Sequence, residues 1–378
     1  MEIRKEDMPR IIQAVSGVSD PRRPKFNLRH KLSDILVMGL CSVMARGDGF
    51  GEMEDLGRGR EEWFREFLEL PNGIPDADTF RRVFERVCPS RLMECLQGWL
   101  AGEEGPGDRE VNIDGKTLRG TAAEGQKAVH MVSAWVNAEN ITLGQLATDS
   151  HSNEITAIPR LLDVLDIAGD TVTIDAMGCQ TAIAEQIREK KAHYVLSVKE
   201  NQPSLYEAIR EYFQFLDEGK LPGLPEDIWE GELEKDHGRI EKRRVRTACD
   251  IDFLTADGKW KDLRTIIEYR CERTVGEKTT TTVRYYISSR DSYADEFGRI
   301  IRGHWAIENR LHWALDVSFG EDACRARKDN SPKNLTVLRK IAIGLLRAVD
   351  AGKRVSLKRK MRMACIDPDF MRKVIFER

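Results

Sequence analysis

The sequence predicts an α/β protein in which helices cover a mixed β-sheet and a small helical domain precedes it. Apolar residues recur at helical spacing through residues 1–100, and after a segment rich in Gly and charge the spacing changes to strand-like alternation. Three strand-like runs then follow one another, and alternating helices and strands come after them. That order of elements is typical of a mixed sheet with helices packed on it.

Residues 1–100 are predicted to form the helical domain, with possible DNA binding as its role. Its clearest helix lies within 74–87, where Asp76 and Asp78 precede apolar positions at helical spacing. The same segment projects three arginines, as a DNA-recognition helix does, but an ordinary capped helix has the same features. Residues 101–110 are predicted to be a linker because they lack apolar periodicity.

The remaining chain is predicted to hold one sheet domain, an insertion and a tail. The domain comprises 111–225 and 291–350, and its expected strands are 111–114, 128–137, 141–149, 171–175 and 193–199, with helices at 153–166 and 179–191. Residues 226–290 show strand patterns alone and are predicted to be a β-rich insertion, since helical spacing resumes after them. Residues 351–378 are predicted to be a basic C-terminal tail.

Composition excludes several functional classes. A chain with 41% hydrophobic and 33% charged residues and a mean hydropathy of -0.47 is typical of soluble globular proteins. The longest apolar run, 35–45, is too short to cross a bilayer, and the N-terminus is too polar for a secretory signal. The eight cysteines contain no CxxC pair, which favours free thiols in a reducing compartment. We therefore expect a cytoplasmic protein with no membrane partner.

Charge is unevenly distributed although the net charge is only -3. Residues 325–378 hold 16 Lys or Arg against 5 Asp or Glu. Such a basic region is able to track the phosphates of a nucleic acid. A solvated helix face with long lysine side chains has the same composition, so charge alone leaves both interpretations open.

Two aspartates end similar strand patterns, VNID and VTID. In each pattern the apolar residues alternate, so Asp114 and Asp175 are expected at the edge of a buried sheet, where open α/β sheets bind ligands. The structural alternatives are that Asp114 and Gly115 form a turn and that Asp175 caps a following helix.

A third carboxylate, Glu308, is predicted to lie in the apolar stripe of its own helix. A charge in that position is costly unless it is paired or bound to a metal. Arg310 and Lys328 are possible ion-pair partners. Together with the two aspartates, Glu308 otherwise gives an oxygen-only cluster of the kind that Mg²⁺ or Mn²⁺ prefers.

The segments VNIDGKTLRG, VTIDAMGCQ and RGHWAIENRLHWALDVSFGED, in this order, resemble the signatures of bacterial insertion-sequence DDE transposases, specifically the H-repeat-associated family of Rhs elements. Further similarity lies at 150–162, 195–203 and 237–246. The resemblance implies an RNase H-like mixed sheet with a β-strand insertion, preceded by a helical N-terminal domain. It also implies a catalytic and metal-binding triad of Asp114, Asp175 and Glu308.

The resemblance further implies the reaction and its partners. The expected chemistry is two-metal hydrolysis of the phosphodiester at an element end, followed by attack of the freed 3′-hydroxyl on target DNA, with Mg²⁺ as cofactor and Mn²⁺ as its substitute. The expected partners are the terminal repeats, target DNA and a second copy of the chain, in a nucleoid-associated protein. The residues expected to contact DNA are Lys116, Arg119, Lys199, His237, Arg239, Arg243, His304 and Arg310.

The sequence departs from many relatives around the glutamate. Where they have a Tyr-x2-Arg-x3-Glu-x6-Lys pattern, this chain has Ile301, His304, Glu308 and Leu315, so His304, Arg310 and His312 are the candidate substitutes for the missing cations. Trp229 or Trp260 is expected either to stack on an unpaired base or to pack in a core. The rival functions are a silent DNA-end-binding relic, a nuclease without strand transfer, and a structural protein that binds no metal.

Overall fold

The computed structural model describes residues 9–23, 28–101, 106–125, 127–148, 154–236, 238–256 and 258–377. These residues form a mixed β-sheet with helices on both faces and a helical region at one end, so the predicted α/β class is confirmed. Within these ranges, no helix combines the length and apolar character needed to cross a membrane.

The N-terminal region is helical, as predicted. Its helices are α1 Arg10–Ser16, α2 Leu32–Met44, α3 Phe50–Gly59, α4 Glu61–Arg65, α5 Ala77–Arg86 and α6 Pro89–Ala101. Asp76 caps α5, since its carboxylate accepts a hydrogen bond from the Thr79 amide at 2.6 Å. Arg81 and Arg82 of α5 form ion pairs with Asp78 at 3.1 and 3.0 Å. DNA contact by this helix stays a prediction.

Strands and helices alternate after residue 110. The strands are β1 Glu110–Leu118, β2 Val129–Val136, β3 Ile141–Ala147, β4 Thr171–Ile174, β5 His193–Val198, β6 Asp227–Glu230, β7 Glu234–Asp236, β8 Arg239–Ala248, β9 Thr265–Val275 and β10 Lys278–Ser288. The helices are α7 Glu154–Val164, α8 Thr181–Glu189, α9 Pro203–Asp217, α10 Asp252–Thr255, α11 Ala294–His304, α12 Ser331–Ala348, α13 Leu357–Ile366 and α14 Pro368–Phe376.

The sheet runs in the order β3-β2-β1-β4-β5-β10-β9-β8-β6, with β7 paired to β8. Strands β1, β2 and β3 are antiparallel, whereas β4 and β5 run parallel to β1. This half of the sheet has the RNase H-like arrangement. Strands from 226–290 continue the same sheet, because β10 pairs antiparallel with β5. The division of the chain into a core and an insertion stays a prediction.

Helix α11 crosses one face of the sheet and leads to the predicted glutamate. Its apolar residues, including Phe297 and Ile301, form a small core with Val195, Val245 and Ile267 of the sheet. After α11 the chain does not continue as a regular α-helix. It forms two π-helical segments, Ile307–His312 and Ala314–Ser318, and such segments are frequent at functional sites.

Helix α12 connects the sheet to the N-terminal helices. It is buried along nearly its whole length and packs on α2, α5 and α6 as well as on β3. Helices α13 and α14 lie within the segment predicted to be a tail, and they bury Met361, Phe370 and Ile375 against the helical region. Most basic residues of this segment therefore belong to packed helices, whereas Lys353 and Arg354 lie in the turn before α13.

Candidate active site

Asp114 lies where the pairing between two parallel strands stops. Strands β1 and β4 pair through Ile113 and Ile174, and β1 continues to Leu118 beside β2 alone. The expectation that the strand ends at Asp114, and the alternative of a turn at Asp114 and Gly115, are therefore both wrong. The end of β4 leaves a gap beside β1, bordered by Asp114, Gly115 and Asp175, which we call the notch.

Asp175 follows β4 on the other side of the notch. Its carboxylate accepts a hydrogen bond from the Met177 amide at 3.0 Å and caps the short 3-10 turn Ala176–Gly178. The capping role that the sequence left open is thus present, although the capped element is this turn and not α8. Burial raises the pKa of Asp175, and the charge of Glu154 acts in the same direction.

Glu308 projects from the first π-helical segment. Its side chain is 55% exposed, so the expectation that it lies in an apolar stripe is wrong. The physical reason is the π-helix, which breaks the 3.6-residue period from which that expectation was drawn. The same segment brings His312 towards the notch, and its Nδ1 lies 3.5 Å from Oε2 of Glu308.

Asp114, Glu308 and His312 form one cluster. Each offers a ligand atom, and these atoms lie within 4.8 Å of one another. His312 Nδ1 is 3.6 Å from Oδ2 of Asp114. Burial raises the pKa of Asp114 to about 7 despite the opposing effect of His312, and the contact with His312 lowers the pKa of Glu308.

Sequence reasoning missed two features of the site. His312 was considered only as a substitute for a phosphate-binding cation, although its position four residues after Glu308 is a helical-spacing signal. The second feature is a pair formed by His130 on β2 and Glu154 at the start of α7, with Nε2 and Oε1 at 2.6 Å. No spacing rule connects these two residues.

The predicted DNA-contacting cations occupy different environments around the notch. Lys199 is exposed beside Asp175, and both line a cleft of about 700 Å³. Arg119 is also accessible, with 81% of its side chain exposed. Lys116 is buried, with its Nζ 2.7 Å from Asp316 and 3.3 Å from Asp322. A phosphate contact by Lys116 would require this ion-pair network to open.

The other predicted cations lie farther from the cluster or are engaged. His304 shares a hydrogen bond with Thr173 at 2.8 Å, and burial lowers its pKa to about 4. Arg310 bonds the side chain of Asn137 at 3.1 Å. Arg239 and Arg243 both pair with Glu241 on β8. His237 lies outside the described residues.

Aromatic side chains flank Glu308 in an arrangement that the sequence did not indicate. Trp260 is buried and Trp229 packs against the small core under α11, which favours the core interpretation for both. Trp305 and Trp313 are instead 43% and 57% exposed. The guanidinium of Arg284, at the edge of the Asp175 cleft, lies 4.5 Å from the centre of the Trp305 ring.

The donor set fits a divalent metal ion. Among the described residues, no Lys or Arg forms an ion pair with Asp114, Asp175 or Glu308; Lys199 acts on Asp175 only at longer range, and His312 contacts Asp114 and Glu308. Carboxylate oxygens suit Mg²⁺ and Mn²⁺. His312 adds an imidazole nitrogen, so the cluster is not the oxygen-only set that was expected.

Comparison with known proteins identifies the family of the two regions. A family model described as "DDE_Tnp_1-associated" matches residues 12–100, and a "Transposase DDE domain" model matches residues 105–345. The chain is 36% identical to an "H repeat-associated putative transposase YhhI" of Escherichia coli K12, over 98% of each chain.

The chain is also similar to a second relative and to one solved structure. A "Putative transposase YncI" of Escherichia coli O157:H7 is 37% identical, with 97% of this chain and 94% of that protein covered. A solved piggyBac transposase synaptic complex with hairpin DNA aligns with a TM-score of 0.42 and 11% identity, over 96% of this chain and 77% of that one.

Proposed function

The chain belongs to the transposase DDE domain family, and on that premise we propose that it cuts phosphodiester bonds at the ends of its own DNA element and joins the freed 3′-hydroxyl to target DNA. The observation that carries this proposal is the cluster of Asp114, Glu308 and His312, with Asp175 outside the cluster but on the other side of the notch, at the end of β4. Such a set of carboxylates is suited to holding divalent cations against a phosphodiester.

In this proposal Asp114, Asp175 and Glu308 hold Mg²⁺, for which Mn²⁺ substitutes. A bound divalent ion supplies charge stabilisation to the phosphate and activation to the attacking oxygen. Nδ1 of His312 lies 3.6 Å from Asp114 and 3.5 Å from Glu308, so the imidazole contacts both carboxylates and would add a nitrogen ligand beside them. Because His312 lowers the pKa of Glu308, that carboxylate is ionised at neutral pH and ready to bind a cation.

DNA would approach along the exposed cations that border the notch. Lys199 stands beside Asp175 in an open cleft, and Arg119 is exposed near the far end of β1. The Arg284 and Trp305 pair offers a flat cationic surface on which an unpaired base is able to stack. We further propose that two copies pair two element ends as a homodimer at the nucleoid.

The test is divalent-metal-dependent cleavage of labelled duplexes taken from the DNA that flanks the gene. Wild type is compared with Asp175→Asn in Mg²⁺ and in Mn²⁺, and Asp55→Asn, an exposed aspartate of α3, serves as the matched control. We expect wild type and Asp55→Asn to nick at the element terminus. Loss of a metal-binding carboxylate should reduce the rate by about a thousandfold or more.

Product analysis separates the rival functions. Joined products that contain target DNA support strand transfer, whereas cleavage without joined products would show a nuclease. If wild type binds the duplexes but cuts in neither metal, the chain is a silent DNA-end-binding protein and the proposal is wrong.

A further inference from the structure

A fourth carboxylate reaches the notch from α7. Glu154 is the first residue of that helix, and its side chain is only 13% exposed. Its Oε1 lies 2.6 Å from Nε2 of His130, and the other ring nitrogen of His130 lies 2.9 Å from the hydroxyl of Thr117 on β1. Thr117 and His130 are directly opposite each other across β1 and β2. The carboxylate is thus held by a histidine that the sheet itself orients.

Gly115 makes room for this pair next to Asp114. A Cβ atom on Gly115 would lie 2.0 Å from Oε1 of Glu154 and 2.4 Å from Nε2 of His130, distances that no real side chain adopts. The carboxylate therefore rests on the backbone of the residue that follows Asp114. Because successive residues of a strand point to opposite faces, Glu154 comes to the notch from the face opposite the Asp114 side chain.

Both strand aspartates experience the charge of Glu154. It contributes to the raised pKa of Asp114 and to the raised pKa of Asp175. The packing of α7 agrees with this, because the helix that begins with Glu154 lies against the turn Ala176–Gly178 that Asp175 caps, while Oε1 of Glu154 lies against Gly115. Glu154 therefore lies close to the two sides of the notch, where β4 has ended.

The contacts of Glu154 differ from those expected of a glutamate whose role is only to stabilise the fold. The described residues provide Glu154 with His130 as its ion-pair partner and no lysine or arginine, and its second oxygen, Oε2, has no hydrogen bond among them. A largely buried carboxylate that keeps one oxygen available, and whose other oxygen is fixed by an oriented histidine, has the geometry of a supported metal ligand.

We propose that Glu154, held by His130, is a fourth carboxylate of the divalent-metal site and supplies an oxygen to it between Asp114 and Asp175. This inference rests on the proposed function, because it assumes that the notch binds a divalent cation. His130 acts through Glu154 and is a positioning residue. Thr117 fixes the His130 ring from the other side.

The test measures Mn²⁺ binding to the full chain without DNA, by the electron paramagnetic resonance signal of free Mn²⁺. Glu154→Gln removes the charge and keeps the shape, and we expect it to raise the Kd for Mn²⁺ at least about tenfold. The matched control is Glu277→Gln at an exposed carboxylate in the turn between β9 and β10, which we expect to bind as wild type. Thermal unfolding of each variant establishes that it is folded.

His130→Ala tests the positioning role. We expect it to weaken Mn²⁺ binding about threefold to tenfold in the wild-type background and to have no further effect in the Glu154→Gln background, since its action passes through that carboxylate. Glu154→Asp keeps the charge at a shorter reach, and we expect partial recovery relative to Glu154→Gln.

The outcomes separate this inference from the function on which it rests. If wild type binds Mn²⁺, Asp114→Asn does not, and Glu154→Gln binds as tightly as wild type or more tightly, the inference is wrong and the proposed function stands. Equal losses in Glu154→Gln and Glu277→Gln would also overturn it, because general charge would then explain the effect. If wild type binds no Mn²⁺ and cuts no DNA, both proposals fall.

Discussion

Asp114 and Lys116 lie on the same face of β1, two residues apart, yet they belong to opposite kinds of charged cluster. Lys116 is surrounded by Asp316, Glu321 and Asp322, at 2.7, 3.5 and 3.3 Å, and we call this group the Lys116 network. Within it, the buried Glu321 also lies 3.7 Å from Arg339. At Asp114 the neighbouring charges among the described residues are carboxylates, and the side chain that contacts it is the imidazole of His312 and not a lysine or arginine.

The difference shows in which of the two clusters the protein itself balances the charges. Buried carboxylates are tolerated when a cation and hydrogen bonds balance them, as in the Lys116 network, where Glu321 also accepts a hydrogen bond from Thr336 at 2.8 Å. The carboxylates of the notch lack such balance, and their repulsion costs stability. Because the fold retains this cost next to a balanced network, we propose that an external cation completes the site in the notch.

The largest expected effect on stability comes from breaking the Lys116 network. Lys116→Met keeps the apolar stem but leaves Glu321, whose side chain is 1% exposed, with the Thr336 hydroxyl and Arg339 at 3.7 Å as its remaining partners. We expect the free energy of unfolding to fall by about 3 kcal/mol in urea titrations. Lys199→Met, at the exposed lysine beside Asp175, should change it by less than about 0.5 kcal/mol. If the two substitutions lowered the free energy of unfolding equally, the ion pairs of Lys116 would contribute no more to stability than the exposed Lys199 does.

Lys340 of α12 is a buried cation near the Lys116 network, and burial disfavours its charged form. Its ammonium donates to the hydroxyl of Ser133 on β2, and burial lowers its pKa from 10.5 to about 8. The unfolded chain therefore binds this proton more tightly, so stability should rise as pH increases from about 8 to 10.5. The shift corresponds to at most about 3 kcal/mol.

The measurement compares urea unfolding of wild type and Lys340→Met across that pH range. We expect the variant to be more stable at pH 7.5 and to lose this advantage as pH rises to about 10, since Met carries no proton to release. Lys358→Met, at an exposed lysine of α13, should follow the wild-type profile. A constant difference between Lys340→Met and wild type would show that Lys340 is fully solvated or fully compensated.

Local patterns in the sequence predicted most of the elements but not their assembly. The hairpin of β2 and β3 and the alternation of β4, α8 and β5 follow from spacing over a few residues. The pairing of β10 with β5 joins Tyr285 to Val198, and periodicity contains no information on such a distant register. For this reason the sequence predicts a separate insertion at 226–290, although the strands of this segment extend the same sheet.

The site was predictable to the extent that its residues lie on regular elements. The alternation in VNID and VTID places Asp114 and Asp175 at adjacent positions, because β1 and β4 pair in register up to the preceding isoleucines. Glu308 was expected to be buried because a 3.6-residue period was assumed where the chain is π-helical. Glu154 depends on His130, which is 24 residues away in the chain, so only the folded sheet brings them together.

A substitution in the notch is expected to have a smaller effect on the free energy of unfolding, and to raise it instead of lowering it. Asp114→Asn removes a buried carboxylate that lies among other carboxylates, so we expect the free energy of unfolding at pH 7.5 to rise by about 1 kcal/mol while DNA cleavage is lost. The increase is limited because the variant also loses the attraction of His312. Urea unfolding with Asp55→Asn as the control gives the measurement. A marked loss of stability would instead make Asp114 a structural residue.

The smallest expected effect lies at the solvent edge of the Lys116 network. Asp316 is closer to Lys116 than Glu321 is, at 2.7 Å, but its side chain is 35% exposed. Water screens an ion pair at such a position and solvates whichever partner remains, so Asp316→Asn should lower the free energy of unfolding by less than about 1 kcal/mol. Glu321→Gln, at the buried end, should cost more, because Lys116 and Arg339 then lose the only carboxylate that they share. If Asp316→Asn proved the more costly variant in urea unfolding, distance and not burial would govern the strength of the ion pairs in this network.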